Sequence, residues 1–119
     1  MSTRHAESLL ARQWSGYPGT HRARANLLLH IVAVPVFLAA NVSLAAGLAR
    51  GDWRIAVAAV AAMAASLAAQ GRGHRWEATP PERFAGPAEA VLRILAEQWV
   101  TFPRFVLTGC WMRAVREGC

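Results

Sequence analysis

Two stretches of the chain, residues 27–49 and 55–71, contain no Asp, Glu, Lys or Arg, and the polar link RGDWR at 50–54 separates them. This pattern predicts a helix from His21 through about Ala49, with a membrane span at about 23–49. Its apolar portion is 23 residues long, and about 20 suffice to cross a bilayer. Pro35 lacks a donor and its ring crowds the preceding turn, so a kink is expected there. Asp52 is placed to cap a second helix, about 53–76, with Trp53 at the height of the membrane interface. This second run, IAVAAVAAMAASLAA, is rich in alanine. Alanine contributes little to insertion, but small side chains let two helices approach closely, as a hairpin requires. The expected centre of the fold is therefore an antiparallel two-helix transmembrane hairpin.

Shorter periodic segments flank the hairpin. Residues 5–14 predict a short amphipathic helix, with Leu9, Leu10, Gln13 and Trp14 near one another, followed by a turn at SGYPGT. After the break ATPPERFAGP, a helix over 87–101 groups Val91, Leu92, Leu95 and Trp99 opposite Glu89, Arg93 and Glu97. Such a helix lies on a membrane surface or packs on the bundle. A last helix, about 103–115, mixes Phe105, Leu107 and Trp111 with Arg104, Arg113 and Arg116. The whole of 1–119 reads as one all-α domain, a small helical membrane protein with amphipathic or packed helices at both ends.

Composition supports this picture. Hydrophobic residues make up 55% of the 119 and charged residues only 17%, against about 25% charged in ordinary globular chains. Disorder is excluded by that content, and a disulfide scaffold by the two cysteines. Cys110 and Cys119, with no C-x-x-C pattern, read as a buried thiol and a terminal one. All 13 basic residues are Arg, and the net charge is +6. An Arg excess suits phosphates, yet no nucleic-acid-binding signature is present. The Arg residues border the apolar runs instead, which matches anionic lipid head groups, so no nucleic-acid partner is expected. Four Arg precede the first span and several follow the second. The positive-inside bias then puts both termini in the cytoplasm, with the protein integral to a bacterial-type inner membrane. No signal peptide is expected, because the first apolar run begins only at Leu27.

Polar groups within or beside apolar helices are costly and need a reason. Here they are His21, Asn26, His30, Gln70, His74 and Glu77. Asn26 and His30 share a helical face, as do Gln70, His74 and Glu77. In a hairpin centred on Asp52, His30 lies 22 residues before the centre and His74 lies 22 after it. Equal rise per residue brings both to one height, with Asn26 and Glu77 nearly level and His21 just outside. Three imidazoles, a carboxylate and two amides at one level make a transition-metal site, with the amides orienting the rings. Taken singly, His30 reads as a hydrogen-bonded core histidine and His21 as a solvated turn residue. His5 joins no pattern. Tyr17 either orients a ligand or anchors the turn, and Asn41 and Ser43 read as interhelical hydrogen-bonding groups. No Ser–His–Asp grouping, phosphate loop or dinucleotide fingerprint is present.

The segment YPGTHRARANLLLHIVAVP resembles the signature of the Mpo1-like family in the spacing of Tyr17, His21, Asn26, His30 and Pro35. QGRGHRWEATPP resembles its second signature through Gln70, Gly73, His74, Glu77 and Pro81. The likeness covers roughly residues 13–81. It departs at the spacing between His74 and Glu77, where only Arg75 and Trp76 intervene, and at Ala78, where a basic residue is usual. The resemblance implies an Fe(II)-dependent dioxygenase that shortens 2-hydroxy fatty acids by one carbon with O2, at the membrane interface. On that reading His21, His30 and His74 hold the metal and Glu77 is the catalytic carboxylate. Tyr17, Asn26 and Gln70 then orient the ligands or the substrate. Arg22, Arg24, Arg72 or Arg75 would meet the substrate carboxylate or lipid phosphates. The alternatives are a non-catalytic membrane protein, for assembly or hole formation, and a related metalloenzyme with another lipid substrate.

Overall fold

A computed structural model describes residues 2–117, with side chains from Leu9 onward. The elements are helical throughout the described residues: α1 (Ser2–Thr20), α2 (Arg24–Arg50), α3 (Trp53–Gly73) with a 3-10 turn at His74–Trp76, α4 (Pro87–Ala96), a π-helical turn at Glu97–Thr101, α5 (Phe102–Leu107) and α6 (Cys110–Glu117).

α2 and α3 form the expected antiparallel hairpin, and local chemistry makes the turn. Gly51 takes φ 67°, a left-handed conformation that is unstrained only without a Cβ. The Asp52 N–H reaches back to the Gly47 carbonyl at 2.8 Å. Asp52 then caps α3, its carboxylate accepting from the Arg54 and Ile55 amides at 3.2 and 3.3 Å. Small residues allow the close approach. A Cβ on Gly47 would stand 3.0 Å from the Ala56 amide nitrogen, and Ala33, Ala40 and Ala59 are buried along the helices. Farther from the turn, the Ser66 hydroxyl donates to the Ala33 carbonyl at 2.6 Å. α2 remains one continuous helical element through Pro35.

Both hairpin helices are long and apolar enough to cross a membrane, with mean hydropathy 2.2 for α2 and 1.4 for α3 with its terminal turn. Only 33% and 17% of their most apolar stretches are buried. Val32, Val36 and Val42 on α2, and Val57 and Val60 on α3, point outward. An exposed apolar surface of this extent suits contact with lipid.

The remaining helices gather around the end of the hairpin opposite its turn. Tyr17, Leu27, Val34, Phe102 and Phe105 form the core there, with Trp14, Ile31 and Trp111 packed against it. The Trp111 indole donates to the Leu27 carbonyl at 2.9 Å, and the Arg104 guanidinium lies 4.0 Å from the centroid of the Trp14 ring.

Three boundaries differ from the sequence pattern. α1 does not stop at residue 14 but continues through Gly16 and Pro18 to Thr20. Burial of Tyr17 among Phe102 and Phe105 outweighs the turn preference of SGYPGT. α2 starts at Arg24, leaving His21 in the link rather than on the helix. The expected helix over 103–115 is two helices, because Gly109 takes φ 83° and ends α5 near Leu107. Of the two placements open to the helix over 87–101, the structure has its apolar stripe facing away from the bundle: Val91, Leu92, Leu95 and Trp99 are exposed, whereas Gln98, Thr101 and Phe102 are buried. Cys110 is a half-buried free thiol. Cys119 lies outside the described residues, as does the side chain of His5.

Candidate metal centre

His30 is fully buried on α2, and its Nδ1 lies 3.0 Å from the Asn26 carbonyl. That contact makes Nδ1 the protonated nitrogen and leaves the Nε2 lone pair free. The Nε2 has no hydrogen-bond partner. His21, in the link between α1 and α2, follows the same logic. Its Nδ1 meets the Tyr17 carbonyl at 3.0 Å and the Thr20 hydroxyl at 2.9 Å, and its buried Nε2 is unpaired. His74 opens the 3-10 turn after α3, and its buried Nδ1 is the third ring nitrogen with no partner. The three rings stand 4.7 to 5.1 Å apart, centroid to centroid, and nearly perpendicular to one another at 82° to 89°.

A carboxylate completes the group, and it is Glu97. Its Oε2 lies 3.4 Å from His21 Nε2 and 3.9 Å from His30 Nε2. The Tyr17 hydroxyl donates to the same oxygen at 2.8 Å, while the Tyr17 ring stacks on His21 at 3.7 Å. Burial works to raise the Glu97 carboxyl. When the imidazoles are protonated at Nε2, as in acid without a metal, the hydrogen bond and charge of His21, the charge of His30 and the Tyr17 hydroxyl outweigh it, holding the group down at about 2. Burial, and then the charge and hydrogen bond of Glu97, push the Tyr17 phenol well above its ordinary range, so it stays a donor.

No family model, curated protein or solved structure matches this chain. The chemistry of the site therefore rests on its own geometry.

That geometry fits a metal ion. The four ligand atoms of His21, His30, His74 and Glu97 all lie within 4.8 Å of one another. Ligands about 2.1 Å from a shared ion stand at most about 4.2 Å apart, so small side-chain rotations close the gap. Each buried, unpaired polar atom costs about 1–3 kcal/mol, and a cation taking all three imidazole lone pairs removes that cost. Imidazole with carboxylate is a donor set for iron, zinc, copper or nickel.

The other sequence-derived residues surround this group in different roles. Glu77 is not one of the four. Its carboxylate accepts from the Arg22 and Ala23 amides at 2.9 to 3.1 Å and from Asn26 Nδ2 at 2.7 Å. It thus supplies the acceptors that the start of α2 lacks, since Ala23 has no capping side chain. It also ties the link carrying His21 to the turn carrying His74. Asn26 orients His30 through its backbone carbonyl and Glu77 through its amide. The Gln70 side chain hydrogen-bonds to none of the histidines, although its carbonyl accepts from the His74 amide. It pairs reciprocally with Gln98, amide to amide at 2.8 and 2.9 Å, and also donates to Ser66 at 3.1 Å. Asn41 accepts from the Trp99 indole at 3.0 Å, joining α2 to the π-helical turn.

Glu97 was legible only as part of a polar helix face with Glu89 and Arg93. The π-helical turn changes its direction: the Phe102 amide bonds the Glu97 carbonyl, five residues back. Pro103 cannot donate to Trp99 and its ring crowds that carbonyl, so a widened turn relieves the helix just before it. A proline inside a helical pattern, six residues after Glu97, was the available signal.

Two cavities reach both His74 and Glu97. One, of about 150 Å³, lies beside Arg12, Thr20 and His21 and touches His74 and Glu97. The other, of about 430 Å³, runs between α3 and α4 and meets the same His74 and Glu97.

Proposed function

We propose that this chain is a membrane-embedded Fe(II)-dependent dioxygenase of the Mpo1-like kind, acting on 2-hydroxy fatty acids. The observation that carries this reading is the convergence of three unpaired buried imidazole nitrogens and Glu97 at one end of an apolar hairpin. The match of Tyr17, His21, Asn26, His30, Gln70 and His74 to the family's signatures selects iron and the substrate class from what such a cluster can bind.

His21, His30, His74 and Glu97 would hold the iron. Bound there, Fe(II) supplies redox chemistry and open positions for a chelating 2-hydroxycarboxylate and O2. In the reaction the bond between C1 and C2 breaks. C1 leaves as carbon dioxide, C2 becomes the carboxyl of the shortened acid, and O2 takes the electrons, with water as the other product. The protein's part is positioning. Backbone carbonyls of Tyr17 and Asn26 fix two ring tautomers, the Tyr17 hydroxyl fixes Glu97, and Glu77 fixes the link between the two histidine-bearing ends. Glu77 is therefore a positioning residue in this reading. The Arg distribution supports both termini in the cytoplasm of a bacterial-type inner membrane, with the site at that border.

A non-catalytic assembly or hole-forming role has no use for unpaired histidines at a cavity wall. The deciding experiment is anaerobic purification, metal analysis, and oxygen uptake with 2-hydroxy fatty acids. Stoichiometric iron and substrate-dependent uptake are expected, with iron lost in His30→Ala and His74→Ala. Iron-loaded protein that consumes no oxygen with these acids removes the reaction; full iron in both variants removes the site.

A further inference from the structure

The larger cavity has a direction. Its lining runs from His74 and Glu97 along α3 through Gly71 to Leu67, with Ile94 of α4 and Pro80, Pro81 and Phe84 of the connecting segment making its other wall. From His74 to Leu67 is seven residues, about two helical turns or 10 Å. Because α3 is one of the two helices apolar enough to cross a membrane, the groove descends from the polar cluster toward the hydrocarbon. Its polar end carries Arg75, which forms no hydrogen bond or ion pair among the described residues. Gly71 leaves the floor open: a Cβ there would meet nothing within 4 Å.

We propose that this groove is the acyl-chain site, and that its occupant is a single-chain carboxylate lipid. The carboxylate lies at the metal cluster beside Arg75, and the chain runs along α3 past Gly71 and Leu67. The assignment rests on the reading of the cluster as a lipid-oxidising centre. Charge complementarity selects the head group: one unpaired guanidinium and a cation-binding cluster at the polar end suit an anion, and apolar walls suit a hydrocarbon tail. A lipid held this way has the orientation it has in the bilayer, head at the border and chain inward. It therefore enters from the membrane rather than from water.

The test is equilibrium binding of radiolabelled 2-hydroxypalmitic acid and of palmitic acid to iron-loaded protein in phosphatidylcholine nanodiscs. Gly71→Leu projects into the groove from a position where a Cβ meets nothing within 4 Å and replaces a poor helix former with a good one. It should retain iron and weaken binding of both acids by about tenfold or more. Ala61→Leu, on the exposed surface of α3 away from the groove, should bind as the unaltered protein does. Arg75→Gln should weaken binding of the acids and leave that of hexadecanol unchanged. Undiminished binding in iron-replete Gly71→Leu overturns the groove and leaves the dioxygenase reading standing. Failure of the unaltered iron-loaded protein to bind either acid also overturns it. Groove-dependent binding of both acids without oxygen uptake supports the groove and removes the reaction.

Discussion

The Tyr17 hydroxyl donates to Glu97 Oε2 at 2.8 Å while the Tyr17 ring lies 3.7 Å over His21. One side chain thereby positions two of the four candidate ligands, the neighbouring His21 in the link and Glu97, which lies 80 residues from Tyr17 along the chain. Tyr17→Phe keeps the stacking and removes only the hydrogen bond. Metal affinity is expected to fall about 10- to 100-fold, the usual effect of removing a group that orients a ligand, with little change in thermal stability. Competition against a chelator of known affinity measures the first, and a melting curve the second.

Glu97 and Glu77 are separable by substitution. Glu97→Gln removes the anionic ligand and should weaken metal binding strongly while the apo fold survives. Glu77→Gln instead weakens the acceptor for the Arg22 and Ala23 amides and Asn26 Nδ2. It should cost about 1–3 kcal/mol of stability, seen as a lower melting temperature of the apo protein. Equal stability loss in both variants would sink the distinction.

Gly73 is required by a close approach rather than by its backbone angles. A Cβ on it would overlap the Asn26 Oδ1 atom and press on Leu29 Cδ2. Gly73→Ala should therefore destabilise by about 1–3 kcal/mol, as overpacking of a tight interior does, despite alanine's better helix propensity. It should also lower metal content, because Asn26 holds His30. By contrast, Gly71→Ala meets open space and should be neutral or slightly stabilising.

Acid should release the metal before it discharges Glu97. Protons compete with the ion for the imidazole nitrogens, so binding declines as pH falls through the histidine range. Glu97, held down at about 2 from an ordinary 4.5, stays ionised there. Because its folded-state value is depressed, the stability it contributes is full above about 4.5 and is lost as pH falls toward about 2. Metal content and apo stability, each followed against pH, should give two transitions, with metal release at the higher pH.

The sequence by itself determined the frame. Two charge-free runs joined by Arg-Gly-Asp-Trp-Arg specify an apolar hairpin, since Gly51 can turn and Asp52 can cap. The equal distances of His30 and His74 from that turn fix their common height, because helical rise is constant. His30 and His74 were legible for this reason, and Glu77 was legible as a neighbour of Asn26. Its role as a helix-start acceptor was not, because that depends on the path of the link at 21–23.

Only the tertiary structure decided which carboxylate joins the histidines. Helical periodicity put Glu97 on a polar face opposite Val91, Leu92, Leu95 and Trp99, and left open whether the apolar face meets the bundle or a membrane surface. The π-helical turn ahead of Pro103 and the Gln70–Gln98 pair turn Glu97 toward the histidines and leave the apolar stripe outward. Periodicity identifies the faces of a helix, but it does not say which face meets the protein when the surroundings include lipid. That choice belongs to the partners: Tyr17 and three imidazoles offer Glu97 more than water does, and a membrane accepts the stripe left outside.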